Sequence, residues 1–306
     1  MTLEESKREF LRRCIALNLS LGTVKQYEKV LKRYFEFCKR KGIGSPESIL
    51  PTDIRDYLNG LSVTCQPVTQ KVHYMALSVF YNFLNREGII KDNPMSRIER
   101  PKVPIREIQA FNRKEIDTLL NSFDKTTFLG YRNYAIMIIL FGTGMRLSEL
   151  SYLRISDIYF EMNMIKVIGK GNKQRAVPMS ETVKKVILQY LRKRKEYTDT
   201  HQLLKNRYLL IGRTGQRLES SGIWDIFSKV AKGDKSLQGV RVSPHTFRHT
   251  FAKYFILNGG DVFALQRILG HSDIAVTKKY VTLNTYEISM QNDRYNPLQN
   301  ETWRYL

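Results

Sequence analysis

The stretch "GTGMRLSELSYLRISDIYFEMNMIKVIGKGNKQRAVPM", residues 142–179, changes its pattern part of the way along. Its first part, "TGMRLSEL", puts Arg146 at a helix start just after a Gly-Thr-Gly turn, with Glu149 three residues on. The rest breaks into short runs, "DIYFE", "MIKVIGK" and "KQRAVPM", separated by "EMN" and "GKGN". Short runs divided by Asn- and Gly-bearing turns read as a small antiparallel sheet, with Lys170 at a hairpin tip.

Helical patterns surround this sheet on both sides. Upstream, the apolar residues 130–142 read as a buried helix, and Asn112 with Glu115 has capping-box spacing that opens a second domain at "FNRKEID". Downstream, helices are expected at 180–197, 221–232, 243–258, 261–269 and 273–283. Nearer the start, Val24, Tyr27, Val30, Leu31, Tyr34, Phe35 and Cys38 recur at steps of three and four after Ser20. "LPTDIRDYLNGL" reads as a short helix ended by Gly60, and "PVTQKVHYMALSVFYNFLNREG" as another ended by Gly88. With residues 3–18 these form a helical bundle. The expected fold is therefore mainly α: a helical domain over 1–100, a proline-bearing linker over 101–110, a mostly helical domain with a small antiparallel sheet over 111–285, and a tail over 286–306.

Composition narrows the partners. The 306 residues are 42% apolar, enough for two cores, and carry 50 Lys and Arg against 29 Asp and Glu, a net charge of +21. Such an excess points to a polyanion. It is spread over both domains, as in a clamp. Nucleic acid is favoured over membrane, because no apolar run approaches the roughly 20 residues that span a bilayer and no amphipathic basic helix flanks an anchor. The charged start "MTLEESKREF" does not read as a signal peptide, so a cytoplasmic location is expected. Cys14, Cys38 and Cys65 lie far apart without metal-ligand spacing and read as thiols in a reducing compartment.

The segment "SPHTFRHTFAKYF", residues 243–255, gathers His245, Arg248 and His249 on neighbouring helical turns. Four-residue spacing of two histidines suits zinc, but no Glu lies between them as in HExxH, and Arg248 beside them would repel a dication. "GKGNK" lacks phosphate-loop spacing and joins two strands rather than a strand and a helix. An anion fits better. Arg146 and Arg248 each offer a planar fork to phosphate oxygens. Lys170, His245 and His271, the last in "LGHSDIAVTKKY", add donors that also move protons, and Tyr280 offers a nucleophile. Singly, each has a bland reading: a solvated hairpin lysine, a capping histidine, a boundary tyrosine. Their joint order and spacing does not.

That combination resembles the tyrosine recombinases, the phage-integrase-like family that includes the Xer proteins. The resemblance is carried by "GTGMRLSELSYLRISDI", "VIGKGNKQRAVPM", "SPHTFRHTFA" and "LGHSDIAVTKKY" and extends over nearly the whole chain. It implies that residues 1–100 are a SAM-like core-binding domain and 111–285 the catalytic domain. A compact, Xer-like or transposon-encoded member is expected, without the separate arm-binding domain of lambda-type integrases. By matching, Arg146 and Arg248 are the phosphate-clamping pair, Lys170 the hairpin lysine, His245 and His271 the two histidines, Tyr280 the nucleophile, and Glu149 a support for the first arginine. His249 reads as structural.

The implied reaction is attack of the Tyr280 hydroxyl on a DNA phosphodiester, giving a 3′-phosphotyrosyl link and a free 5′-hydroxyl. The bond energy stays in the intermediate, so no cofactor, metal or ATP is implied. The implied partners are double-stranded DNA recombination sites, bound by a homotetramer on two duplexes that exchanges strands through a Holliday junction. Residues 286–306 would dock on a neighbouring protomer or fray. A type IB topoisomerase, resealing the same strand, uses similar groups and is the alternative. Chromosome-dimer resolution and mobile-element integration or excision are equally compatible with these residues.

Overall fold

The computed structural model describes residues 1–104, 109–169 and 174–270, together with 287, 289, 292 and 294. The chain divides into two compact units, Met1–Arg106 and Glu107–Leu306.

The first unit is built from four helices: α1 (Leu3–Ala16), α2 (Leu21–Arg40), α3 (Pro51–Thr64) and α4 (Pro67–Arg86). Ser20 caps α2 by accepting from the Thr23 backbone N–H. The apolar stripe read from α2 does face inward: Leu31, Tyr34, Phe35 and Cys38 join Phe10, Ile54, Leu77, Phe80 and Leu84 in one core. At its centre the Tyr34 and Tyr81 hydroxyls share a 2.9 Å hydrogen bond, which answers the polarity of two fully buried phenols.

One sequence boundary moves. Gly60 does not end α3, which continues to Thr64, because Leu61 extends the buried stripe of Ile54, Tyr57 and Leu58. The stop comes later, where Cys65 turns extended and Gln66 precedes a proline that opens α4. Beyond α4, a 3-10 turn at Pro94–Arg97 buries Met95, and Ile98 follows it into the core, so the first unit reaches past its last long helix.

The second unit begins its helices with α5 (Arg113–Asn121), where Asn112 and Glu115 form the expected reciprocal cap at 2.8 and 2.9 Å. Next comes α6 (Phe128–Thr143), apolar around its whole circumference and mostly buried. It is followed by α7 (Leu147–Tyr152) and by a sheet of β1 (Ile158–Tyr159), β2 (Met164–Ile168) and β3 (Gln174–Pro178). The sheet is an antiparallel meander in the order β1-β2-β3, with Ile165 opposite Val177 and Ile168 opposite Gln174. Helices α8 (Glu181–Thr200), α9 (Ser220–Gly233), α10 (Pro244–Leu257) and α11 (Val262–Leu269) complete the described elements. The helix expected over 273–283 lies outside the described residues. No helix among the described residues is long and apolar enough to cross a membrane.

Helices α6, α8 and α10 pack together around Ile136, Ile139, Leu140, Ile187 and Phe247. Phe247 sits between Phe111 and Phe227, with ring centroids 4.9 and 5.4 Å away. This fixes the face of α10 that looks inward, and with it the face left for chemistry. Glu287 forms a 2.7 Å ion pair with Lys253 of α10 in the same chain.

Candidate functional site

Arg146 stands at the N-cap of α7 because α6 ends abruptly before it. Gly144 caps α6 in the left-handed region at φ 61°, and its N–H returns to the Leu140 carbonyl at 3.0 Å. A side chain at Gly144 would meet Phe251 and Leu269 at 2.3 and 2.9 Å, so this turn needs glycine for space as well as for φ. The Arg146 backbone N–H donates to Glu149 Oε2 at 2.8 Å, and its Nη1 donates to Glu149 Oε1 at 2.9 Å. Its Nη2 reaches the Gly270 carbonyl at 3.3 Å, and its side chain is 35% exposed.

Arg248 comes from the second turn of α10, which Ser243 caps and Pro244 opens. It is buried, at 2% exposure. Its Nη1 donates to the Gly144 carbonyl at 2.7 Å and its Nη2 to the Leu269 carbonyl at 2.8 Å. Two arginines distant in sequence thus converge on successive carbonyls at the C-terminal end of α11. That helix end is a natural seat for cations, having carbonyls with no intrahelical partner.

A third arginine completes the row. Arg175, on β3, donates from Nε to the Ile268 carbonyl at 2.8 Å and grips Glu149 with both Nη atoms, at 2.7 and 2.8 Å. Ile268, Leu269 and Gly270 are therefore taken in turn by Arg175, Arg248 and Arg146. Burial pushes the Glu149 carboxyl up, but hydrogen bonds from Arg175 and from the Arg146 backbone outweigh it and hold the group below the ordinary carboxylate range. Glu149 is an anion among arginines.

His245 lies one turn before Arg248 on α10. Partial burial, then the charges of Arg248, Arg241 and Arg146, push its imidazole below its ordinary pKa, so it is neutral at pH 7 and can accept a proton. His249 is buried at 7% exposure and belongs to the packing of α10. Lys170, His271 and Tyr280 lie outside the described residues. Ile168 and Gly169, which lead into Lys170, line a cleft of about 420 Å³ together with Arg146 and Glu149. Tyr152 and Tyr208 also line this cleft and meet edge to face at 6.3 Å, and Arg217, behind them rather than in the lining, lies 4.0 Å over the Tyr152 ring.

The structure brings together Arg146, Glu149, His245 and Arg248. Sequence reading missed Arg175. It sits inside the quoted run "KQRAVPM", but its partners lie 26 and 93 residues away, and no local pattern announces them. The pairing of Tyr152 with Tyr208 in the cleft was missed for the same reason.

Geometrically, the site offers planar cations, a buried carboxylate that orients one of them, and a neutral imidazole. That set suits an oxyanion that gains charge during reaction. Residues 109–287 match the phage integrase family, and residues 8–89 match the phage integrase N-terminal SAM-like domain. Tyrosine recombinase XerD of Listeria monocytogenes serotype 4b (strain F2365) is 30% identical over 283 residues, covering 91% of this chain and 94% of that one. Tyrosine recombinase XerC of Bacillus pumilus (strain SAFR-032) is 32% identical over 270 residues, 87% of each chain. Among solved structures, XerA recombinase aligns at a TM-score of 0.51 with 27% identity, covering 96% of this chain and 99% of that one. The Tn1549 transposon integrase, solved with a circular intermediate DNA, aligns at 0.76 with 18% identity over the same shares, a likeness of fold.

Proposed function

This chain belongs to the phage integrase family, and on that footing we propose that it is a site-specific DNA recombinase whose Tyr280 attacks the scissile phosphate. The observation that carries the reading is the convergence of Arg146 and Arg248 on the carbonyls of Gly270 and Leu269. Neither arginine is local to the other: Arg248 is held by the Gly144 and Leu269 carbonyls, and Arg146 shares the Glu149 carboxylate with Arg175 while reaching the Gly270 carbonyl.

In the proposed reaction the Tyr280 hydroxyl loses its proton to His245 and its oxygen bonds to phosphorus. The bond to the 5′ oxygen breaks, and Lys170 supplies the proton that makes the leaving group a 5′-hydroxyl. Free tyrosine has a pKa of about 10, so only roughly one phenol in a thousand is ionised at neutral pH. A neutral imidazole and nearby arginines offset that deficit. Arg146, Arg248 and His271 stabilise the extra charge on the pentacoordinate phosphorus. Attack by a 5′-hydroxyl from a second duplex reverses the step and exchanges the strand. Repeated on the other strand pair, this resolves a Holliday junction, with four protomers on two duplexes. Residues 1–100 would hold DNA as the core-binding domain, residues 111–285 would be catalytic, and the tail 286–306 would dock in cis or on a neighbour.

The test is a nicked suicide substrate carrying the chain's recombination site, from which the short strand bearing the freed 5′-hydroxyl diffuses away. Wild type should accumulate a covalent adduct in the presence of EDTA, and Tyr280→Phe should bind the same DNA and form none. An adduct in the phenylalanine variant at wild-type yield refutes Tyr280 as nucleophile.

A further inference from the structure

Glu149 is a buried carboxylate with side-chain exposure of 2%, beside an arginine whose fork it would naturally take whole. Left alone with Arg146, it would form a two-pronged pair, which is the preferred arginine–carboxylate geometry. Such a pair would cancel the Arg146 charge and turn its N–H groups away from any phosphate. The structure differs. Arg175 makes the two-pronged contact, one Nη on each carboxylate oxygen. Arg146 receives only the remaining lone pairs: Nη1 on Oε1, and its backbone N–H on Oε2. Among the described residues, Arg146 Nε bonds to nothing, and Nη2 has only the long contact to the Gly270 carbonyl. Two arginines and one glutamate leave the group with a net positive charge, with Arg146 and Glu149 lining the cleft.

Arg175 is also fixed independently of Glu149. Its Nε is tied to the Ile268 carbonyl, and its stem lies against Gly270, where an added Cβ would meet its Cδ at 2.9 Å and its Cζ at 3.1 Å. With its backbone in β3, its aim is set from both ends. We propose that Arg175 is a positioning residue: by occupying Glu149 in two-pronged fashion, it keeps the Arg146 charge from being neutralised and its guanidinium turned toward the scissile phosphate.

This assignment rests on the recombinase reading above, and the test separates the two. Single-turnover adduct formation on the suicide substrate is measured beside DNA affinity and thermal unfolding. Arg175→Met should slow adduct formation on the order of tenfold or more, with affinity changed less than about threefold, because Glu149 then captures Arg146. Adding Glu149→Gln to that variant restores the net charge around Arg146. The double variant should therefore cleave faster than Arg175→Met alone. A role in folding alone would instead make the second loss add to the first. Arg175→Lys covers the case in which the methionine variant fails to fold. It keeps a charge but cannot hold both carboxylate oxygens and the Ile268 carbonyl at once, so it should slow cleavage severalfold at unchanged affinity. Wild-type rates in Arg175→Lys, or a double variant slower than Arg175→Met, overturn the positioning role. Absence of any adduct from wild type overturns the recombinase reading instead.

Discussion

The Gly144 carbonyl accepts a 2.7 Å hydrogen bond from Arg248 Nη1, which joins the turn before Arg146 to the helix that carries the second arginine. The same glycine has φ 61° and has Phe251 and Leu269 against the space where a side chain would go. One residue thus sets the end of α6, the start of α7 and part of the Arg248 seat. Gly144→Ala should cost about 1–3 kcal/mol through backbone strain alone, with the contact to Phe251 adding to it. Chemical unfolding should register the loss, and adduct formation should fall further than stability predicts, because both arginines shift. Unchanged stability would mean that the turn relaxes without consequence.

Arg248 uses two different nitrogens on two carbonyls, Gly144 and Leu269, at the end of two different helices. A lysine has one nitrogen and no plane, so it cannot span both. Arg248→Lys should therefore reduce single-turnover cleavage on the order of a hundredfold, the usual cost of losing one preorganised donor to a transition-state oxyanion. DNA binding, which draws on many phosphates, should weaken little. Binding and cleavage falling in parallel would argue that Arg248 serves docking rather than chemistry.

The imidazole of His245 is displaced downward from its ordinary 6.5 by partial burial and by Arg248, Arg241 and Arg146. A base with a depressed pKa is neutral and competent at pH 7 and is lost only as pH falls through its own, lower value. Cleavage should hold level through neutral pH and decline on the acid side, with its midpoint below 6.5. His245→Gln should lower the plateau and remove that acid limb. A rate that rises as the medium turns acidic would assign the proton transfer to another group.

Much of this architecture was legible from local chemistry. Ser20 and Asn112 announce their helices, and the stripe of Leu31, Tyr34 and Cys38 announces its buried face. The hairpin was legible because Asn163, at φ 52°, and Gly169 punctuate short alternating runs. Gly60 misled, since glycine weakens a helix without ending it when the apolar stripe continues through Leu61. At the site, the spacing of His245 and Arg248 was visible, but the three arginines on consecutive carbonyls of α11 were not. That row is made by β3, α7 and α10 meeting one helix end, and its members share no period.

His73 offers a stability prediction in the first unit, far from any proposed chemistry in sequence. It is buried at 6% exposure, with its Nδ1 2.7 Å from the Tyr57 hydroxyl. Burial, then the charges of Arg33 and Lys29 on α2, push its pKa down to about 4 from an ordinary 6.5. The folded chain therefore refuses a proton that the unfolded chain accepts between those two values. The stabilisation is fully present above pH 6.5, is lost progressively as pH falls toward about 4, and is gone below that. Urea unfolding of the full chain followed by far-ultraviolet circular dichroism should show the first unit's midpoint dropping across this window. His73→Met keeps the volume while removing the titration, so it should lower stability at pH 7, where the Tyr57 partner is lost, yet flatten the dependence on pH. A midpoint that falls as steeply in His73→Met as in wild type would place the acid sensitivity on other groups.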